Sequence, residues 1–509
     1  MAIDFTPLFR TGFVRRAKLT DNWQTDSATI QRRVLAGLLK KGAATEYGKK
    51  HGFSDILNAR DPEEAFARMV PTVEFEDIRE SVLRMIRGEK DVLWTGRCRD
   101  YAQSSGTSGG KSKFIPVTAD SLRHNHYAGG ADSMAFYLRL VPESRIFSGK
   151  GFILGGSFSN TLGFDHPGVN VGDLSATLIN KINPLANLVR IPDKKTALMT
   201  DWMEKLPRLV EKAAFANVTN ISGVPSWFLT VIKRICEFRS VEKISDVWPN
   251  LEVFFHGGIS FEPYREEYRR LTDPSKMHFL ETYNASEGFF AVQNDLDDHS
   301  MLLLADRGIF YEFIPMDGSD PTPVPLRDVK PGKVYELVIT SCNGLWRYRL
   351  GDTVTVTQTN PVKIRIAGRT KSFINAFGEE LMENNAETAL AEACKETGGM
   401  IRNYTAAPLF ASGERKGHHQ WLIEWDAPPK DLDNFAEILD RQLRTVNSDY
   451  DAKRSHSIFL DRLEVITAQS GLFDKWLKTV GNLKLGGQRK VPRLSNDRHI
   501  IDALLALNG

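Results

Sequence analysis

The stretch Ser104-Ser105-Gly106-Thr107-Ser108-Gly109-Gly110-Lys111-Ser112-Lys113, followed by Phe114-Ile115-Pro116, decides the reading of this chain. Glycines let backbone N–H groups approach an anion, hydroxyls add donors, and lysines supply neutralising charge. That composition makes a phosphate cradle and points first to a nucleoside triphosphate. Two familiar motifs nearly fit. Ser105 through Ser112 follows the P-loop spacing, except that Ser105 stands where the first glycine belongs, and Gly106 through Gly110 reads G-x-S-x-G, the nucleophile elbow of serine hydrolases. Both need a buried apolar strand leading in and a helix leading out. Residues 96–103 are mostly polar, and Pro116 falls where that helix would propagate. The sequence instead predicts a Gly/Ser/Thr loop entering a strand at Lys113–Val117. A ligand-free tether of the same composition is the competing reading.

Working outward, 509 residues with 41% hydrophobic content suffice for two or more domains with sizeable cores. Lys and Arg total 66 against 64 Asp and Glu, a net charge of +2. No basic excess recruits nucleic acid, so any anion site must be local. Cys98, Cys236, Cys342 and Cys394 have no C-x-x-C spacing, which argues against zinc and disulfides and suits a reducing compartment. The first residues carry early charge and no apolar leader, and no run approaches the ~18 residues that span a bilayer. The expectation is a cytoplasmic protein with neither membrane nor nucleic-acid partners.

Residues 27–50 and 62–90 carry apolar side chains at three- and four-residue spacing (Ile30, Val34, Leu35, Leu38, Leu39), which predicts helices packed outside a core. From Gly151 the pattern changes to short apolar runs ending in glycine or small polar residues, at 151–156, 217–223, 253–258 and 278–283, with helical segments at 226–239 and 262–271. Such runs read as buried, mainly parallel strands, whose C-terminal ends wall a ligand site. Residues 331–357 turn to β character, and Gly368 to Gly378 reads as a joint. Helical 382–396 and 431–446 and strand-like 419–425 and 462–467 then suggest a separate α+β domain. The predicted fold class is α/β. A large N-terminal domain, 1–370, has mainly parallel sheets, helices and a small β subdomain, and a smaller mobile α+β domain spans 371–509.

Three segments in order, the loop 104–113, Tyr283-Asn-Ala-Ser-Glu287-Gly288, and Tyr348-Arg-Leu-Gly-Asp352, resemble the signatures of the adenylate-forming superfamily of acyl-CoA ligases, luciferase and peptide synthetase adenylation domains. Gly368-Arg369-Thr-Lys371 with Gly378-Glu379 resembles that superfamily's hinge. The opening Ser-Ser-Gly-Thr-Ser and the C-terminal Gly487-Gln488-Arg489-Lys490-Val491-Pro492-Arg493 are most similar to the auxin-responsive acyl-acid amido synthetases, plant hormone-conjugating enzymes with bacterial relatives. Asn-Ala-Ser before Glu287 differs from the small-residue run usual in plant members and leaves the acyl substrate open.

The resemblance implies ATP and Mg²⁺ as cofactors, and a small carboxylic acid and an amino acid as substrates. It places Ser104, Ser105, Gly106, Thr107 and Ser108 around the polyphosphate with Lys113 as its cation, Lys111 being the rival. Glu287 is then the Mg²⁺ ligand and Ser286 its neighbour in the nucleotide site, hard cations preferring carboxylate oxygens. Tyr283 would stack on adenine, Asp352 would accept from the ribose hydroxyls, Arg369 would assist at ribose or phosphate, and Lys490 would reach across during adenylation. Each residue type also has an ordinary use: a solvated Lys113 or Arg369, a helix-capping Glu287, a core Tyr283, a turn Asp352, a charged tail around Lys490. His124 with His126, and His418 with His419, diverge on either regular element and make no metal pair. His256, before Gly257-Gly258, sits at a strand end facing the expected acyl pocket, which Trp227, Phe228, Phe289 and Phe290 either line or back as core. Three functions follow: adenylation of an acid with transfer to an amino acid amine, an acid–CoA ligase sharing the first half-reaction, and a nucleotide-binding protein without catalysis. The last needs neither Glu287 nor Lys490.

Overall fold

The structure, a computed structural model, describes residues 4–104, 113–158, 166–259, 261, 264–316, 321–369, 373–411, 416–455, 459–479 and 491–509. The chain forms two compact units, Met1–Ser104 with Lys113–Thr370, and Lys371–Gly509. The expected α/β class is the one observed, with a large first unit and a smaller α+β second unit.

The first unit holds strands β1 (Asp100–Ser104), β2 (Lys113–Pro116), β3 (Lys150–Ile153), β4 (Asn170–Gly172), β5 (Arg190–Ile191), β6 (Val218–Gly223), β7 (Val253–His256), β8 (His278–Ala285), β9 (Gly288–Gln293), β10 (Met301–Leu303), β11 (Ile309–Pro315), β12 (Val324–Pro325), β13 (Val334–Ser341), β14 (Tyr348–Thr359) and β15 (Val362–Arg369). Twelve of them form one sheet in the order β12-β11-β13-β14-β15-β10-β9-β8-β7-β6-β3-β5. From β8 through β7, β6 and β3 to β5 all pairing is parallel; from β8 through β9 to β12 it is antiparallel. The four apolar runs from Gly151 onward are the parallel half, joined by helices such as Pro225–Arg239. The β region 331–357 supplies β13 and most of β14 to the antiparallel half of the same sheet, so it continues the parallel half edge to edge.

A strand does precede the Gly/Ser/Thr loop, despite its polar sequence. β1 pairs antiparallel with β2, Tyr101 opposite Pro116 and Ser104 opposite Lys113, and parallel with β4. Its polar residues are tolerated because they have partners: Asn170 Nδ2 donates to Asp100 Oδ1 at 2.7 Å, and Lys181 lies 3.1 Å from the same carboxylate. A P-loop and an elbow stay excluded for the second reason, since the chain leaves the loop on a strand.

The helical region 27–50 is split into Trp23–Gly42 and Glu46–Lys50, and 62–90 into Pro62–Met69 and Phe75–Ile86, the latter break falling at Pro71. Asp61 accepts from the Glu63 and Glu64 amides as the cap ahead of Pro62. Leu35, Leu38 and Leu39 bury against Phe53, Phe66 and Trp346, at ~1.5–3 kcal/mol per large side chain. Below them Arg347, 4% exposed and with φ +46°, makes a bidentate pair with Glu312 (2.9 and 2.8 Å) and donates to the Ala67 and Val70 carbonyls. That cluster ties the helix Pro62–Met69 to the sheet.

In the second unit, β16 (Phe373–Ile374) pairs with β17 (Leu381–Met382), and β18 (Met400–Leu409), β19 (His418–Ala427) and β20 (Glu464–Ala468) form a sheet. Helices Glu383–Thr397 and Leu432–Val446 carry side chains into the same core. Glu379 is wholly buried; its carboxylate accepts from the Ala376 and Phe377 amides and pairs with His419 Nε2 at 2.7 Å.

Two buried histidines of the first unit make stability depend on pH. Burial holds the His126 ring down at about 4, and burial with Arg265 and His299 holds His256 at about 3, against 6.5 when free. Both are therefore neutral in the fold and take up protons only on unfolding, so their stabilisation is complete above pH 6.5 and lost as pH falls. By pH 5 each subtracts about 2 kcal/mol. Thermal melts should show a drop in stability from pH 7 to pH 5 that becomes shallower in His256→Phe; an unchanged slope would mean that this ring is not neutral.

Candidate active site

Strand β8 lies at the seam of the sheet, and the motif Tyr283-Asn-Ala-Ser-Glu287-Gly288 is its turn into β9. Ala285 pairs with Gly288, so Ser286 and Glu287 are the two connecting residues of a hairpin. No helix follows, which removes the helix-capping reading of Glu287. Glu287 itself is 8% exposed. Gly288 is closely approached: a Cβ there would meet Ile309 Cδ1 at 2.7 Å and Phe290 Cε1 at 2.9 Å, so these buried side chains would have to shift.

The turn is held from two sides by residues that the motifs do not include. Asn343 Nδ2 donates to the Glu287 carbonyl at 3.2 Å, with Ser341 Oγ donating to Asn343 Oδ1. Asn125 accepts from the Phe289 amide at 2.7 Å and donates to the Phe289 and Arg307 carbonyls at 3.0 and 2.9 Å. Both asparagines are 1% exposed. The Ser-Cys-Asn-Gly turn signal is the one sequence feature that could have pointed to Asn343. Nothing in the sequence singles out Asn125, which lies in the π-helical turn Leu122–His126.

All three motif segments meet through side chains at β14. The Tyr283 hydroxyl donates to Asp352 Oδ2 at 2.7 Å, across 69 positions of sequence. The Tyr283 ring is 5% exposed and packs on Phe290 at 4.9 Å. Asp352 follows Gly351, whose φ of +82° suits glycine, and stands opposite Arg369 in the β14–β15 register. The loop segment reaches the same strand from its own end: Lys113 Nζ lies 3.4 Å from the Tyr348 hydroxyl and 5.9 Å from the centre of that ring. Lys113 is thus a half-buried residue of β2 with a neutral partner, and Ser104 ends β1 beside it in register. Ser105, Gly106, Thr107, Ser108 and Lys490 lie outside the described residues.

The C-terminal ends of the parallel strands share one edge, with Gly223 opposite His256 and His256 opposite Glu281. His256 is 2% exposed and stacks on Phe261 at 4.1 Å; its Nδ1 has no hydrogen-bond partner among the described residues. Phe228 and Phe290 are fully buried core. Among the described residues no group of three or more His, Cys, Asp or Glu is arranged to hold a metal ion. A single carboxylate in a turn nonetheless fits Mg²⁺, which is commonly held by one or two carboxylates with substrate phosphates and water. Among the described residues no helix is long and apolar enough to cross a membrane.

The chain is similar to known proteins along most of its length. The GH3 family N-terminal domain matches residues 17–277, the GH3 family central domain 302–369 and the GH3 family C-terminal domain 384–499. Indole-3-acetic acid-amido synthetase GH3.4 of Arabidopsis thaliana is 23% identical over 94% of this chain and 91% of its own. Jasmonoyl–L-amino acid synthetase JAR6 of Nicotiana attenuata is 24% identical over 92% and 91%. Among solved structures, the acyl acid amido synthetase AtGH3.15 with 2,4-DB is similar with a TM-score of 0.60 at 22% identity, covering 99% of this chain and 97% of its own. 2-Hydroxyisobutyryl-CoA ligase in its thioesterification state follows at 0.54 and 16%, over 94% and 91%. Matched in order by all three of the family's domains, the chain belongs to the GH3 family.

Proposed function

We propose that this protein is an ATP-dependent ligase that activates a small carboxylic acid as its acyl-adenylate and transfers the acyl group to the amine of an amino acid. In the first step a carboxylate oxygen attacks the α-phosphorus and the α–β phosphoanhydride bond breaks, releasing pyrophosphate. In the second, the amine nitrogen attacks the acyl carbon, AMP leaves, and the amine proton passes to solvent. The observation that carries the reading is the Tyr283–Asp352 hydrogen bond, because it brings together two of the motif segments that lie far apart in sequence.

Each residue then has a task. Asp352, its carboxylate oriented by the Tyr283 hydroxyl, accepts from the ribose hydroxyls, and Tyr283 borders the adenine. Lys113, with Ser104, Ser105, Gly106, Thr107 and Ser108, neutralises and orients the polyphosphate. Glu287, seconded by Ser286, holds Mg²⁺, which when bound screens the phosphate charge against the incoming carboxylate. Arg369 assists at the ribose, and Lys490 belongs to the adenylating arrangement. Residues 1–370 are the adenylation domain and 371–509 the mobile one.

The test is acid-dependent exchange of labelled pyrophosphate into ATP over an aryl and aliphatic panel, followed by mass spectrometry with amino acids or CoA offered. Exchange with amide formation is expected. Exchange followed by a thioester would instead favour an acid–CoA ligase, the chemistry named for one structural relative. ATP binding with no exchange for any acid would sink both.

A further inference from the structure

The first unit contains a cavity of about 520 Å³ lined by none of the residues assigned to ATP. Its buried lining is apolar: Leu38, Trp94 and Cys342 are each 5% exposed or less. Its outer lining is cationic, with Arg16, Arg33, Lys41, Arg123 and Arg307. Three of these charges are already met. Arg16 and Arg307 share the buried carboxylate of Asp132 at 2.6 and 2.5 Å, and Lys41 pairs with Asp120 at 2.6 Å. Asp306, also in the lining, lies 3.8 Å from Arg307. Arg33 and Arg123 are exposed and have no ion pair or hydrogen bond among the described residues. Two positive charges therefore stand over an apolar floor, which is the complement of an amphipathic anion.

The cavity is also lined by the chain neighbours of both supports of the Glu287 turn. Cys342 precedes Asn343, which holds the Glu287 carbonyl, and the Arg307 carbonyl is an acceptor for Asn125, which holds Phe289. His124, another lining residue, precedes Asn125. A ligand that draws on the Arg307 guanidinium or packs on Cys342 thus acts one residue from each support.

We propose that this cavity is a second, regulatory site for a small amphipathic monoanion, an apolar body bearing a carboxylate or sulfonate, whose binding changes the adenylation rate by shifting the Glu287 turn. The effect on rate rests on Glu287 serving the nucleotide site; the binding does not. Naphthalene-2-sulfonate, which cannot be adenylated, is the probe, titrated calorimetrically into the full chain with and without saturating ATP.

Three chains are compared: wild type, Arg33→Glu/Arg123→Glu, and Gly37→Leu. The glycine lines the cavity, and a Cβ on it meets nothing within 4 Å, so a larger side chain can start there and take up space in the cavity. Wild type should bind with ATP present, and its pyrophosphate exchange should change severalfold with an unchanged KM for ATP. Reversing the two exposed charges should weaken binding roughly fivefold or more, and both variants should lose the effect on exchange. Equal affinity in all three chains, displacement by ATP, or binding without any change in exchange would overturn the proposal. Glu287→Gln separates the two readings: undiminished exchange in that variant removes the role of the turn and leaves the titrations to stand or fall alone.

Discussion

Lys490→Ala should slow acid-dependent pyrophosphate exchange by roughly 10²–10³-fold while leaving the ATP dissociation constant within about twofold. A cation that meets charge developing between the carboxylate and the α-phosphate stabilises the transition state and contributes little to ground-state binding. Asp352→Ala should do the opposite. Its carboxylate is fixed before ATP arrives by the Tyr283 hydroxyl at 2.7 Å, so ground-state hydrogen bonds to the ribose are lost. At ~1.5–3 kcal/mol for a charged hydrogen bond, ATP affinity should fall by about ten- to a hundredfold. Equilibrium binding of a fluorescent ATP analogue and exchange kinetics on the same samples separate the two. Equal losses of affinity in both variants would contradict these assignments.

Arg347→Ala should lower the unfolding free energy of the first unit by ~3–5 kcal/mol, because it strands the Glu312 carboxylate in the core. Burial already pushes the Glu312 carboxyl above its ordinary range, and only Arg347 opposes that. Two backbone carbonyls, of Ala67 and Val70, lose their donor in the same step. The double variant Arg347→Met/Glu312→Leu removes both charges together and should recover much of the loss. Urea denaturation followed by tryptophan fluorescence measures both, Trp346 being the adjacent residue. A single variant as stable as wild type would mean that the pair is solvated.

Much of the fold was legible because its signals are local. The apolar runs at 151–156, 217–223, 253–258 and 278–283 became β3, β6, β7 and β8, since a strand buried on both faces must be apolar along its length. Pro116 excluded a helix after the loop, and the chain there is a strand. β1 was missed because Asp100 and Gln103 break the apolar pattern, and only partners far along the chain, Asn170 and Lys181, make the burial of Asp100 tolerable. The continuity of the two sheet halves was equally hidden, because strand order depends on pairings between residues distant in sequence. Within the candidate site, Tyr283, Glu287 and Asp352 come from the motifs that carry the family resemblance, and the structure brings Tyr283 and Asp352 together. Asn125 and Asn343 were not, because they act on backbone carbonyls and amides, which leave no pattern of residue types. Glu379 resembled part of a hinge and is, besides, the buried acceptor that organises the start of the second unit.

The seam strand β8 carries a practical meaning for anyone dividing this chain. The family's N-terminal and central domains end and begin at 277 and 302, and β8 with β9 falls in the interval between them. That interval looks like a linker on a domain map, yet it is where the sheet is stitched, β8 to β7 on one side and β9 to β10 on the other. A fragment ending after β9 would present Phe290, Ala291 and Val292, all buried in the intact protein, on an unpaired strand edge that invites assembly with other copies. The mapped boundary records ancestry of sequence; the hydrogen-bond ladder records what must be made together.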